Sequence, residues 1–150
     1  MFERGCECGD VRFRLASAPI FVICCHCRQC QKLSGSAFAL NGMIEGDRVE
    51  LVDMETASVL QTDRGETRCR RCNTKLWATH RDFGDRILFV RLGTLDEADC
   101  LKPDAHFFVR SKHPWISVTD DTPVFEALPD DGDPPLLDEH AAARLAAAVG

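Results

Sequence analysis

The sequence predicts an all-β domain closed by one short C-terminal helix. Three observations carry that expectation. Short segments in which apolar and polar residues alternate follow one another along most of the chain. Gly, Asp, Asn and Pro bound those segments, as turns require. No alternation of strands with long helices appears, which disfavours a doubly wound sheet.

At 150 residues the chain suffices for one domain with a sizeable core. Val11, Phe13 and Leu15 alternate with Arg12 and Arg14, the mark of a strand with one buried face. Further strands are expected at Ala37–Met43, Val49–Val52, Ser58–Gln61 and Lys75–Thr79. Ile87-Leu88-Phe89-Val90, followed by Leu92, is an apolar run that suits a central strand. Phe107–Arg110 and Ile116–Val118 complete the set. The segment Pro129-Asp130-Asp131-Gly132-Asp133-Pro134-Pro135 reads as a linker, because proline removes donors and the acidic run repels itself. Beyond it, Asp138 and Glu139 suit a helix N-terminus, and Leu137, Ala141, Leu145 and Ala148 recur at helical spacing. The expected organisation is a β domain over 5–128, an acidic Pro-rich linker over 129–135 and a helix over 136–150. That helix packs on the sheet or across a homodimer.

A net charge of −6 argues against a nucleic-acid partner, since phosphate binding draws its affinity from Lys and Arg. Locally, Arg64, Arg68, Arg70, Arg71 and Lys75 form a basic stretch able to meet an anion. No apolar run reaches the length of about 18 residues that a membrane span needs. The N-terminal MFERGCECGD lacks the basic start and apolar run of a secretory signal, so a cytoplasmic protein is expected.

That compartment decides how the nine cysteines are read. In a reducing environment an odd number of cysteines in tight groups points to metal, not to disulfides. The groups are Cys6 with Cys8, Cys25 with Cys27 and Cys30, and Cys69 with Cys72. On an extended strand Cys6 and Cys8 share a face, and Cys69-Arg70-Arg71-Cys72 has the two-residue gap of a zinc knuckle. Asn73 suits the left-handed turn that follows such knuckles. These four residues supply a closed zinc tetrahedron, which staples and does not catalyse. Cys25-His26-Cys27-Arg28-Gln29-Cys30 joins a same-face strand pair to a knuckle, so three sulfurs meet one ion and leave a position open. Cys24 should face away and act as a buried small hydrophobe, and Cys100 is read the same way. A competing scheme pairs Cys27 and Cys30 with Cys69 and Cys72 as a zinc ribbon. It leaves Cys6, Cys8 and either Cys24 or Cys25 for a second closed site, and the spacings alone do not decide between the two.

Three motifs in combination resemble the glutathione-dependent formaldehyde-activating enzyme family, also called the centromere protein V domain family. They are Gly5-Cys6-Glu7-Cys8-Gly9-Asp10-Val11-Arg12-Phe13, Cys25-His26-Cys27-Arg28-Gln29-Cys30-Gln31-Lys32 with Gly35 and Phe38, and Cys69-Arg70-Arg71-Cys72. The likeness extends to Phe125 and includes His106 and Lys112-His113-Pro114-Trp115. It implies an all-β zinc fold similar to Mss4 and two zinc ions per chain. By resemblance Cys6, Cys8, Cys69 and Cys72 hold a structural zinc, and Cys25, Cys27 and Cys30 a catalytic one. Asn73 stands where the family usually has Gly.

A zinc carrying three thiolates is a poor source of hydroxide but can take a substrate thiol as its fourth ligand, stripping the proton near neutral pH. The family name implies glutathione as that thiol and formaldehyde as the electrophile, a carbon–sulfur lyase-type reaction. Arg28 and Lys32, just after the open knuckle, are candidates to bind substrate carboxylates. His26 is expected to support the ligands or pack beside them, and His106, His113 and Trp115 to line a pocket. Two other functions compete: a non-catalytic interaction module with two structural zincs, and a thiol redox enzyme using Cys27 and Cys30. The second lacks the βαβ context that a thioredoxin-like motif needs.

Overall fold

A computed structural model describes residues 2–54, 57–97, 100–119 and 121–150. The expected all-β architecture and its short C-terminal helix are present, and one further short helix is added. The strands are β1 (Phe2–Gly5), β2 (Arg12–Leu15), β3 (Phe21–Cys25), β4 (Ala39–Glu45), β5 (Val49–Leu51), β6 (Val59–Gln61), β7 (Glu66–Cys69), β8 (Lys75–His80), β9 (Gly84–Arg91) and β10 (Ala105–Phe107). The helices are α1 (Arg28–Ser34) and α2 (Glu139–Val149). A three-stranded sheet runs β1-β2-β5 and a seven-stranded sheet β10-β3-β4-β9-β8-β7-β6. The pairing is antiparallel throughout except where β10 lies parallel to β3.

Alternation along β4 and β9 divides the core. Ile44, Leu88 and Val90 face Phe13 and Leu15 of the small sheet, while Met43 and Ile87 pack with Phe21, Phe107 and Ala141 of α2. The large sheet is therefore covered on one face by β2 and on the other by α2. Asp138 caps α2 by accepting from the Ala141 N–H, and Arg144 pins the helix to β4 through Glu45 at 2.6 Å.

Three expectations need correction. Ile116–Val118 forms no strand: Pro114 starts a turn there, and the Ile116 N–H bonds to the His113 carbonyl. The Phe107–Arg110 segment is strand only as far as Phe107, because Phe108 adopts φ 61° and a 3₁₀ turn follows over Val109–Ser111. Cys6 and Cys8 lie in a turn, closed by Cys6 N–H to Val11 O and Gly9 N–H to Cys6 O, and not on a strand. Alternation did not reveal β3, whose sequence FVICC is buried nearly throughout and reads as a continuous apolar run.

Candidate metal centres

The turn holding Cys6 and Cys8 meets the end of β7 and the turn after it, which carry Cys69 and Cys72. The four sulfurs lie within 4.8 Å of one another, with Cys6 Sγ 3.5 Å from Cys8 Sγ and Cys8 Sγ 3.8 Å from Cys69 Sγ. All nine cysteines are free, and these separations are far longer than the sulfur–sulfur bond of about 2.05 Å. A tetrahedral ion with zinc–sulfur bonds of about 2.3 Å sets its ligands about 3.8 Å apart, so the donor set fits zinc. Backbone and hydroxyl groups support the sulfurs, the Val11 N–H bonding Cys6 Sγ and Thr74 Oγ1 lying 3.1 Å from Cys72 Sγ. That hydroxyl draws Cys72 down to about 6, although burial opposes it. Cys8 accepts a lowering hydrogen bond from the Asp10 backbone, but desolvation and the crowded sulfurs outweigh it and push the thiol up to about 12. The sulfurs resist becoming anionic together, which is the condition that a central cation relieves. Asn73 adopts φ 61°, the left-handed turn its identity suggests.

Cys25, Cys27 and Cys30 form a second group within the same 4.8 Å limit. The expected strand pair is replaced by a junction. β3 ends at Cys25, and Cys27 caps α1, its Sγ accepting from the Cys30 N–H at 3.3 Å. Hydrogen bonding with Cys25 draws Cys30 down to about 6 against its burial, and the positive charges of Arg91 and Lys75 pull the same way. The same hydrogen bond and its burial push Cys25 up. The ribbon scheme, in which Cys27 and Cys30 join Cys69 and Cys72, is not the grouping observed.

Cys24 belongs to neither group and faces the other side of β3, as strand alternation requires. It forms a buried third cluster with His26 and His106, in which His26 Nε2 lies 3.0 Å from His106 Nδ1 and 3.6 Å from Cys24 Sγ. Burial, then the charges of His106 and Lys112, hold His26 below its ordinary range, so it is a neutral imidazole at pH 7.

A cleft of about 440 Å³ is lined by Ser34, Phe38, Ala39, Arg68, Lys75 and Arg91. It reaches the C-terminal end of α1, where Ser34 Oγ donates to the Cys30 carbonyl at 2.8 Å. A larger cleft of about 710 Å³ runs beside α2 at the opposite end of β4, away from the sulfurs. A family model described as glutathione-dependent formaldehyde-activating enzyme matches residues 1–111. The chain belongs to that family. A Halomonas elongata protein described as a "Putative glutathione-dependent formaldehyde-activating enzyme" is 27% identical over 129 residues, covering 79% of this chain and 81% of its own. A crystal structure of a Rhodobacter sphaeroides protein aligns at 19% identity and TM-score 0.48 over 67% of this chain and 91% of the other.

The family match takes in every cysteine of both groups, together with α1 and Arg91. Arg28 is exposed and donates to Gln31 Oε1 at 2.7 Å, and Lys32 is exposed in the last turn of α1. Neither lines the cleft, whose basic residues are Arg68, Lys75 and Arg91. The basic stretch of the sequence signalled Arg68 and Lys75, which share Glu66 at 2.9 and 2.8 Å, but not Arg91. Gln31 stands in the second motif but was given no role, because a buried glutamine within a seven-residue helix has no periodicity to mark it. His113 and Trp115 stack on each other at 5.5 Å, and Trp115 is exposed. No described helix is long and apolar enough to cross a membrane.

Proposed function

We propose that the chain is a zinc-dependent carbon–sulfur lyase-type enzyme that adds a small thiol, glutathione or a close relative, to an aldehyde such as formaldehyde. The observation that carries this reading is the division of seven sulfurs into a group of four and a group of three. Cys6, Cys8, Cys69 and Cys72 would hold a structural zinc, and Cys25, Cys27 and Cys30 a catalytic one. Zinc bound by three thiolates supplies a fourth position at which a thiol loses its proton near neutral pH.

The chain's own residues set the conditions for that chemistry. Cys27 and Cys30 are partly exposed while Cys25 is buried, so the group is approached from the α1 side. The N-terminus of α1, capped by the Cys27 sulfur, adds backbone N–H groups and a positive dipole end that favour negative charge on sulfur. Arg91 and Lys75 add positive charge. In the reaction the sulfur lone pair forms the carbon–sulfur bond and the carbonyl π pair moves to oxygen. That oxygen ends with the proton the thiol released, so no oxidant or reductant is consumed. Free thiols in both groups suit the reducing cytoplasm.

X-ray absorption at the zinc edge, before and after glutathione is added to the zinc-loaded protein, tests the reading. A rise in zinc–sulfur coordination is expected. An unchanged sulfur shell, with two ions per chain, would support two structural sites in a binding module instead.

A further inference from the structure

The cleft beside the end of α1 is lined by a cation that its surroundings leave partly unsatisfied. Arg91 ends β9, and its Nη1 is buried without a hydrogen-bond partner among the described residues. A buried guanidinium nitrogen left unpaired costs free energy that a ligand can return. Register places it on the metal side of the sheet. Cys25 pairs with Ala39 and Asn41 with Arg91, and residues two apart on β4 share a face, so Cys25 and Arg91 project to the same side. The neighbouring cations are differently placed: Lys75 and Arg68 are both tied to Glu66, with exposures of 12% and 16%. Of the cleft's lining residues none is acidic, and the volume of about 440 Å³ suits a small-molecule ligand.

We propose that Arg91 binds a carboxylate of the thiol substrate, with Lys75 and Arg68 lending positive charge, so that the cleft selects anionic thiols over neutral ones. The assignment rests on the thiol-adding function given above. It gives an acidic protein a local means of gathering an anion that its overall charge of −6 repels. Arginine suits the role because its planar fork pairs with both oxygens of a carboxylate, and because it stays charged when partly buried.

The test uses S-methylglutathione, which keeps both carboxylates of glutathione but has no thiol to donate. Calorimetric titration of the zinc-loaded protein should show binding, weakened at least tenfold when both carboxylates are esterified. Arg91→Gln should weaken the free acid on the order of tenfold to a hundredfold, the range of a lost charge-assisted pair, and erase the preference over the ester. Arg91→Lys should fall between, and circular dichroism should show all three proteins folded. Equal affinity of wild type and Arg91→Gln for the acid would overturn the proposal, as would equal binding of acid and ester by the wild type. Loss of the second zinc in Arg91→Gln with S-methylglutathione binding intact would also overturn it, assigning Arg91 to the thiolates instead. Arg91-dependent binding without any change at the zinc edge on adding glutathione would uphold the carboxylate site while defeating thiol capture.

Discussion

Gln31 donates from Nε2 to the backbone carbonyl of His26 at 2.7 Å. The same nitrogen reaches the Ser111 carbonyl at 3.0 Å, while Oε1 accepts from Arg28. One buried side chain thus ties α1 to the turn that separates Cys25 from Cys27, and to the 3₁₀ turn after β10.

Gln31→Ala should leave two carbonyls short of a donor and cost roughly 2–3 kcal/mol of stability. The damage should be local. Zinc retention should fall at the three-cysteine group and persist at the four-cysteine group, read by metal content after dialysis alongside a denaturant melt. Uniform loss of both ions would show that Gln31 supports the whole sheet.

The two cysteine groups should respond differently to serine. Cys72→Ser should impair folding and solubility, because structural zinc contributes on the order of 10 kcal/mol to small domains. Cys30→Ser should remove one ion and thiol binding while the sheet survives. Cys24→Ser is the control, expected to keep both ions at a modest cost from a buried hydroxyl. Should Cys30→Ser unfold the chain as badly as Cys72→Ser, the second site would be another staple.

Chelation should distinguish the sites by rate. Each group has two partly exposed sulfurs, Cys8 and Cys72 in one and Cys27 and Cys30 in the other, but four sulfurs would close a tetrahedral ion whereas three would leave it a position open to a chelator. A dye that reports released zinc should show two phases, only the slower one accompanied by loss of near-ultraviolet circular dichroism. A single phase would mean that the ions leave together.

The Glu45–Arg144 pair predicts a pH effect. Burial pushes the Glu45 carboxyl up, and Arg144, helped by Arg48, more than offsets it, leaving the group below its usual range. A folded value below the unfolded one stabilises above about pH 4.3, and the contribution is lost as pH falls through the folded value. Arg144→Met should therefore cost roughly 2 kcal/mol at neutral pH. The difference in melting temperature from wild type should shrink as the medium is acidified below about pH 4. A constant difference down to that range would remove the pair as the anchor of α2.

The sheet was legible wherever one face met water. Phe13 and Leu15 alternate with arginines because β2 buries one side, but β3 buries both and offered no alternation. The cysteine groups were legible because metal binding demands short spacings. The way those spacings are realised was not, since Cys6 and Cys8 meet through a turn and Cys27 through a helix cap. The cleft was hidden for another reason: Arg91 and Lys75 become neighbours of Cys30 only through sheet order.

Adjacent cysteines at 24 and 25 give β3 an unusual hazard in folding. Slipped by one residue against β4, the strand would still offer a sulfur to Cys27 and Cys30, so a misregistered isomer could capture metal and persist. Phe107 O accepting from the His26 N–H, and His26 lying against His106, give a second and independent reference for the register. The buried histidine pair thus works as a proofreading element, rewarding the alignment in which Cys25 joins Cys27 and Cys30.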